Sequence, residues 1–456
     1  MNKLSKRAWL TMGLAMMLFC GLCLIVVRYA IYAPDWAAYS SIATATGSST
    51  SSISAYTVTD RKGEVVLTEK SGRTYHADKS VRSSMIHILG DKYRWIDRVI
   101  IREYGDELSG YNRLSGTYHK GEKQGNMTLT VSARVQKAAY DALAGRKGVV
   151  GVYNYKTGEI ICMVSSPNYD PENVPLIDPE ADEYEAVYVN RFVSSLYIPG
   201  STFKIVTAAA ALEKIEDIQE RTFHCEGSVV VGGETIVCNS SHGDISFQKA
   251  IARSCNVVFA ELSVELGAAT LTEYAQKMGI TDSYSFDGYT TRRGNIDLEA
   301  AGHQSIAWAG IGQYTDLINP CQFMVMMGAI ANGGTAAKPY LVQEVRFGES
   351  VEYSARTRMT TRLLKEQTAE ELADMMHYAV TSTYGEWNFS GLYAGAKSGT
   401  AQQGAGESSD ALLTGFVQDE RYPLAFVVIV EGGGYGSTTC APIVRQVLDA
   451  CVVALQ

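Results

Sequence analysis

Apolar and polar positions follow three different rhythms along this chain. From Ala8 to Val27 the run AWLTMGLAMMLFCGLCLIVV carries no charge and is long enough to span a bilayer, while Lys3, Lys6 and Arg7 stand before it. Positive residues stay on the cytoplasmic side, so the pattern predicts a cytoplasmic tail over 1–7, a transmembrane anchor over 8–30 and an exported remainder. A cleaved signal peptide is the rival reading, but the apolar core is long for one and no A-x-A site follows it. Residues 31–54, ending in SSIATATGSSTSSIS, are too small and polar to build a core and read as a flexible stalk.

Past the stalk the rhythm shortens. Residues 55–125 give strand and turn signals, as in YTVTDRKGEVVLTE with its turn at Lys62-Gly63, and form a small module without visible chemistry. From residue 126 the stretch MTLTVSARVQKAAYDALAG predicts a strand and then a helix, and GVVGVYNYKTGEIICMV a hairpin turning at Lys156-Thr157-Gly158. At the far end AGAKSGTAQQ, ALLTGFVQ and YPLAFVVIVEGG are successive strands and APIVRQVLDACVVAL a closing helix. Between roughly 200 and 390 the pattern is mostly helical. Hairpin-linked strands with helices between them predict one α+β domain over 126–456, built on an antiparallel sheet packed by helices, with a helical subdomain.

Composition narrows the function classes. A net charge of −9 with no long basic run argues against nucleic acid as a partner. The seven histidines form no H-E-x-x-H or comparable cluster, so neither a metal site nor a cofactor is expected. Of nine cysteines, Cys20 and Cys23 lie in the apolar span, which leaves an odd number outside it and excludes a fully paired framework. Cys225 and Cys238 flank Val-rich runs around Gly232-Gly233, so a hairpin that brings them together as a disulfide is expected.

The chemistry starts at SLYIPGSTFKIVTAAAALEKI. Lys204 lies in a helix with almost no polar face, and a buried ammonium needs a reason. Ser201 shares the first turn with it. A serine hydroxyl becomes a nucleophile when a base takes its proton, and burial makes a lysine such a base by lowering its pKa. Spacing alone is weak: Ser246 and Lys249 repeat it in DISFQKAIARS, where a solvated helix start is the reading. Order and context separate the two. Ser254 and Asn256 in RSCNVVF, and Lys397, Ser398, Gly399 and Thr400 in GAKSGTAQ, follow Ser201 by 53 and 196 residues at their first members.

This triplet of S-x-x-K, S-x-N and K-[ST]-G resembles that of the penicillin-binding proteins and serine β-lactamases. GVVGVYNYKTGEIICMVSSPNYDPENV and GIGQYTDLINPCQFMVMMGAIANGGTAAKPYLV are similar to segments of class B penicillin-binding proteins, and DRKGEVVLTEKSGRTY, more weakly, to their N-terminal module. Tyr314, where the family often has glycine, and Ser398, for the commoner threonine, depart from the pattern. The resemblance implies a penicillin-binding transpeptidase fold, and an enzyme that cross-links peptidoglycan stem peptides and is acylated by β-lactams. It implies Ser201 as nucleophile, Lys204 as base, Ser254 as proton relay and Asn256 as a holder of Lys204 and the substrate amide. Lys397, Ser398 and Thr400 would receive the substrate carboxylate, Gly399 would let the substrate lie beside its strand, and the Ser201 and Thr400 N–H groups would form the oxyanion hole. The alternatives are a D,D-carboxypeptidase or β-lactamase and a non-catalytic scaffold of a wall-assembly complex. The region before 126 is short for a glycosyltransferase domain, so glycan polymerisation is expected from a separate partner at the cytoplasmic membrane.

Overall fold

The computed structural model describes residues 2–38, 55–70, 72–112, 117–118, 123–178, 180–402 and 408–456. The N-terminal helix runs from Asn2 to Ala38. It therefore continues past residue 30 into the segment expected as stalk, whose residues 39–54 lie outside the described residues. Within it Ser5–Ile31 has a mean hydropathy of 2.5 and no burial against the rest of the protein. Apolar side chains left uncovered over that length suit hydrocarbon, and the helix satisfies its own backbone there. The helix fits a single membrane anchor.

The chain from residue 148 onward is organised by a five-stranded antiparallel sheet in the spatial order Ala394–Ala401, Asp410–Gln418, Pro423–Val430, Gly148–Asn154, Ile160–Ser166. The hairpin expected at Lys156-Thr157-Gly158 joins the last two strands. PLAFVVIV reads as an unbroken apolar run because both of its faces are covered. Phe426 and Val428 enter a core with Val444 and Leu448 of the closing helix Ala441–Ala454. Val427 and Ile429 point the other way, into the core that holds Met324 and the helix Pro320–Ala331. The period of two puts alternate residues of one strand into two separate cores.

A second sheet of six strands has the order Ser350–Ser354, Val342–Phe347, Gly125–Leu129, Tyr56–Thr59, Val65–Glu69, Arg73–Tyr75. The boundary drawn from the sequence at 126 falls inside one of its strands. Gly125–Leu129 pairs in parallel with Tyr56–Thr59 on one side and antiparallel with Val342–Phe347 on the other. Strands before and after the Ser201 segment are thus hydrogen-bonded into one sheet.

The hairpin around Gly232-Gly233 forms between Ser228–Val231 and Glu234–Val237. The disulfide expected from it does not. Cys225 ends a strand that pairs with Gly243–Ser246 instead, all nine cysteines are free thiols, and Cys238 Sγ faces Cys255 Sγ at 3.8 Å.

Candidate active site

Ser201 sits in a 3-10 turn, Gly200–Phe203, that runs into the helix Lys204–Lys214. Because the turn precedes the helix, Ser201 is not its cap, and its hydroxyl is free to face the side chain one turn on. Every residue from Lys204 to Ala211 is buried, and Lys204 itself is 0% exposed. Its Nζ lies 3.0 Å from Ser201 Oγ, 2.8 Å from the Ser254 carbonyl oxygen, 3.1 Å from Ser254 Oγ and 2.6 Å from Asn256 Oδ1. Two of these four, the backbone carbonyl and the amide oxygen, can only accept. A neutral amine that donates its two hydrogens to them keeps its lone pair for Ser201 Oγ. Burial first, and then the charge of Lys397, hold Lys204 well below the ordinary lysine pKa. The surroundings thus favour the state in which that lone pair exists.

Ser254 reaches Lys204 through an unusual backbone. It closes the helix Phe247–Ala252 with φ +54, a left-handed conformation that L-residues other than glycine and asparagine adopt at a cost of about 1–2 kcal/mol. In return both its carbonyl and its hydroxyl meet Lys204. Strain held at such a place is characteristic of functional sites. Asn256 starts the next helix, Asn256–Lys277, and donates through Nδ2 to the Val237 carbonyl at 2.8 Å, so one of its amide hydrogens is held by the hairpin rather than by substrate.

Lys397 lies on Ala394–Ala401, the edge strand of the five-stranded sheet, 0% exposed, with Nζ 2.9 Å from Ser254 Oγ and 2.8 Å from the Ser398 carbonyl. Burial brings its pKa down to about 7. Hydrogen-bond contacts therefore run without a gap from Ser201 Oγ through Lys204 Nζ and Ser254 Oγ to Lys397 Nζ.

Gly399 has a packing reason beside the one expected from the sequence. A Cβ there would lie 2.8 Å from the Pro199 carbonyl oxygen and 2.9 Å from Thr202 Cγ2, so the missing side chain lets the Ser201 turn abut the edge strand. The strand-facing partner is Gly200, φ +52, where a Cβ would sit 2.6 Å from the Thr400 carbonyl oxygen. These two contacts bring Ser201 and Thr400 side by side. Close by, Gly312 accepts from the Gly200 N–H at 2.9 Å, and Tyr314 takes a φ of +85, which accounts for a preference for glycine at its position.

The eight side chains and backbone positions expected from the sequence line or underlie one cleft of about 610 Å³. Gln313, Trp308 and Tyr435 also line it, and among the described lining residues none is acidic. Ser246 and Lys249 take the bland role: Ser246 caps Phe247–Ala252, accepting from the Lys249 backbone N–H, while the Lys249 side chain is exposed. One contributor escaped the sequence reading. The Tyr384 hydroxyl, buried, lies 3.1 Å from both the backbone N and the Oγ of Ser398. Nothing in its local sequence marks it, because the contact is made across a π-helical turn, Val380–Tyr384, and a loop.

Residues 148–449 match the family model of the penicillin binding protein transpeptidase domain. The chain is 30% identical over 361 residues to peptidoglycan D,D-transpeptidase PbpA of Mycolicibacterium smegmatis, covering 72% of each chain. It is 29% identical over 424 residues to stage V sporulation protein D of Bacillus subtilis, covering 82% of this chain and 64% of that one. Among solved structures, the ceftriaxone acyl-enzyme complex of penicillin-binding protein A from M. tuberculosis superimposes with a TM-score of 0.77 at 23% identity, covering 89% of this chain and 99% of that one. The D,D-transpeptidase domain of a peptidoglycan glycosyltransferase from Eggerthella lenta does so with a TM-score of 0.74 at 28% identity, covering 88% and 99%.

Proposed function

Because the chain belongs to the penicillin-binding protein transpeptidase family, in its class B branch, we propose that it is a serine D,D-transpeptidase that cross-links peptidoglycan stem peptides and is acylated by β-lactams. Ser201 Oγ attacks the carbonyl of the penultimate D-alanine as Lys204 takes its proton. The oxyanion that forms is met by the backbone N–H groups of Ser201 and Thr400. Ser254 passes the proton from Lys204 to the departing D-alanine amine, which leaves an ester on Ser201. The amine of a neighbouring stem peptide then attacks this ester and restores the serine. Protonated Lys397, with the Ser398 and Thr400 hydroxyls, receives the terminal carboxylate.

The observation that carries the reading is the coordination of Lys204, whose two carbonyl acceptors leave a lone pair for Ser201. The N-terminal helix anchors the chain in the cytoplasmic membrane with its catalytic half outside. A glycosyltransferase, in this reading a separate protein, supplies the glycan strands.

Intact-mass measurement of the full chain after penicillin treatment tests the assignment. One stable adduct is expected, mapped to the peptide containing Ser201, and none on Ser201→Ala. A normal adduct on that variant would refute Ser201 as nucleophile, and rapid loss of the wild-type adduct would turn the reading toward a hydrolase.

A further inference from the structure

Four side chains beside the cleft take no part in this chemistry. Cys225 ends the strand Thr222–Cys225, Cys238 follows the hairpin strand Glu234–Val237, His242 precedes Gly243–Ser246, and Cys255 is the middle residue between Ser254 and Asn256. Their donor atoms all lie within 4.8 Å of one another, with the three cysteines buried and the histidine half-buried. Cys238 Sγ is 3.8 Å from Cys255 Sγ and 3.7 Å from His242 Nδ1. Tetrahedral zinc, with Zn–S of about 2.3 Å and Zn–N of about 2.0 Å, requires separations of about 3.8 Å between sulfurs and about 3.6 Å between sulfur and nitrogen.

The surroundings fit the same use. His242 Nε2 is held by Ser240 Oγ at 3.1 Å, which turns Nδ1 toward the sulfurs, as outer partners of metal-bound histidines do. The backbone N–H of Asn256 lies 3.3 Å from Cys238 Sγ, a contact suited to a thiolate. We infer that Cys225, Cys238, His242 and Cys255 bind a zinc ion. Three thiolates and an imidazole are soft donors that fill four positions, so the site is closed and structural rather than catalytic. The ion ties the hairpin and the 238–243 loop to the residue flanked by Ser254 and Asn256, and so braces the turn in which Ser254 holds its left-handed backbone.

The test is the zinc content of the full chain purified in detergent under reducing conditions, loaded with Zn²⁺ and dialysed. About one zinc per chain is expected for the wild type and for Cys451→Ala, a buried cysteine outside the cluster, and a small fraction of that for Cys238→Ser and for the half-buried His242→Gln. Chelation should lower the melting temperature of the wild type reversibly, with Zn²⁺ restoring it and Mg²⁺ not. Ser201→Ala should hold zinc like the wild type, so this site and the catalytic assignment fail independently. The inference is overturned if the reduced wild type takes up no zinc, or if both cluster variants bind it as the wild type does. It is overturned equally if two of the thiols are isolated as a disulfide whose reduction brings no zinc uptake.

Discussion

The same four-residue spacing occurs twice within fifty residues of this chain and has two opposite outcomes. Ser246 caps its helix and turns its hydroxyl to backbone, while Lys249 extends into solvent. Ser201 is excused from capping by a 3-10 turn, and Lys204 is enclosed by the helix Asn256–Lys277, the Ser254 turn and its own apolar neighbours. Spacing puts the two residues one turn apart in both cases. Enclosure is what separates them, because burial disfavours the charged form of Lys204 and so suits it to the part of base proposed for it.

Exchanging the lysines for arginine breaks the comparison most sharply. Arg keeps its proton at any working pH. Lys204→Arg should therefore slow penicillin acylation by about 10²–10⁴-fold, the usual worth of a general base, and Lys249→Arg should leave the rate unchanged. Stopped-flow acylation of both variants decides it: equal effects at the two positions would remove enclosure as the distinction.

A pH profile sharpens the same point. Acylation should rise with pH as Lys204 sheds its proton, and fall near pH 7 as Lys397 loses the charge that meets the carboxylate. Lys397→Arg should push the falling limb several pH units upward, and an unmoved limb would show that it belongs to another group. Stability carries the same sign for both lysines. A depressed pKa means that between about pH 7 and the ordinary lysine value of about 10.4 the unfolded chain binds a proton the folded one does not, so the fold gains stability as pH rises through that window.

Gly399→Ala comes next. Its methyl would press on Pro199 and Thr202, part the Ser201 turn from the edge strand, and cost about 1–3 kcal/mol of stability together with a loss of acylation rate. Thermal melting and labelling should change together; a variant that loses only substrate affinity would restore the role expected from sequence. Tyr384→Phe is the smallest. It frees the Ser398 N–H and hydroxyl and should weaken carboxylate recognition by about 1 kcal/mol, read as a several-fold lower second-order acylation rate with an unchanged melting temperature.

How much of this was legible in the sequence depended on distance along the chain. Ser201 with Lys204, the Lys156-Thr157-Gly158 hairpin and the closing strands are local patterns, and each was read at the right place. The joining of Ser201, Ser254 and Lys397 is not local, and it entered through family resemblance rather than through periodicity. Contacts with no such precedent were missed. Tyr384 on Ser398 has no motif, and the packing of Gly399 against Pro199 and Thr202 joins segments too far apart in the chain for a local pattern to show. Cys225 and Cys238 were paired with each other because a hairpin was visible between them, whereas Cys255, whose sulfur lies 3.8 Å from that of Cys238, comes from a different helix start.

The six-stranded sheet has a consequence for how the chain is made. Gly125–Leu129 waits for Val342–Phe347, and the adjoining bonds from Thr130 to Tyr340 and Leu341 span 210 and 211 residues. At roughly 5–20 residues per second, on the order of ten to forty seconds pass between synthesis of the two strands. Throughout that interval the growing chain presents a strand with one unpaired edge, open to a second nascent copy or to a holding chaperone. Assembly of the first-made module is thus timed by the arrival of residues that come long after Ser201.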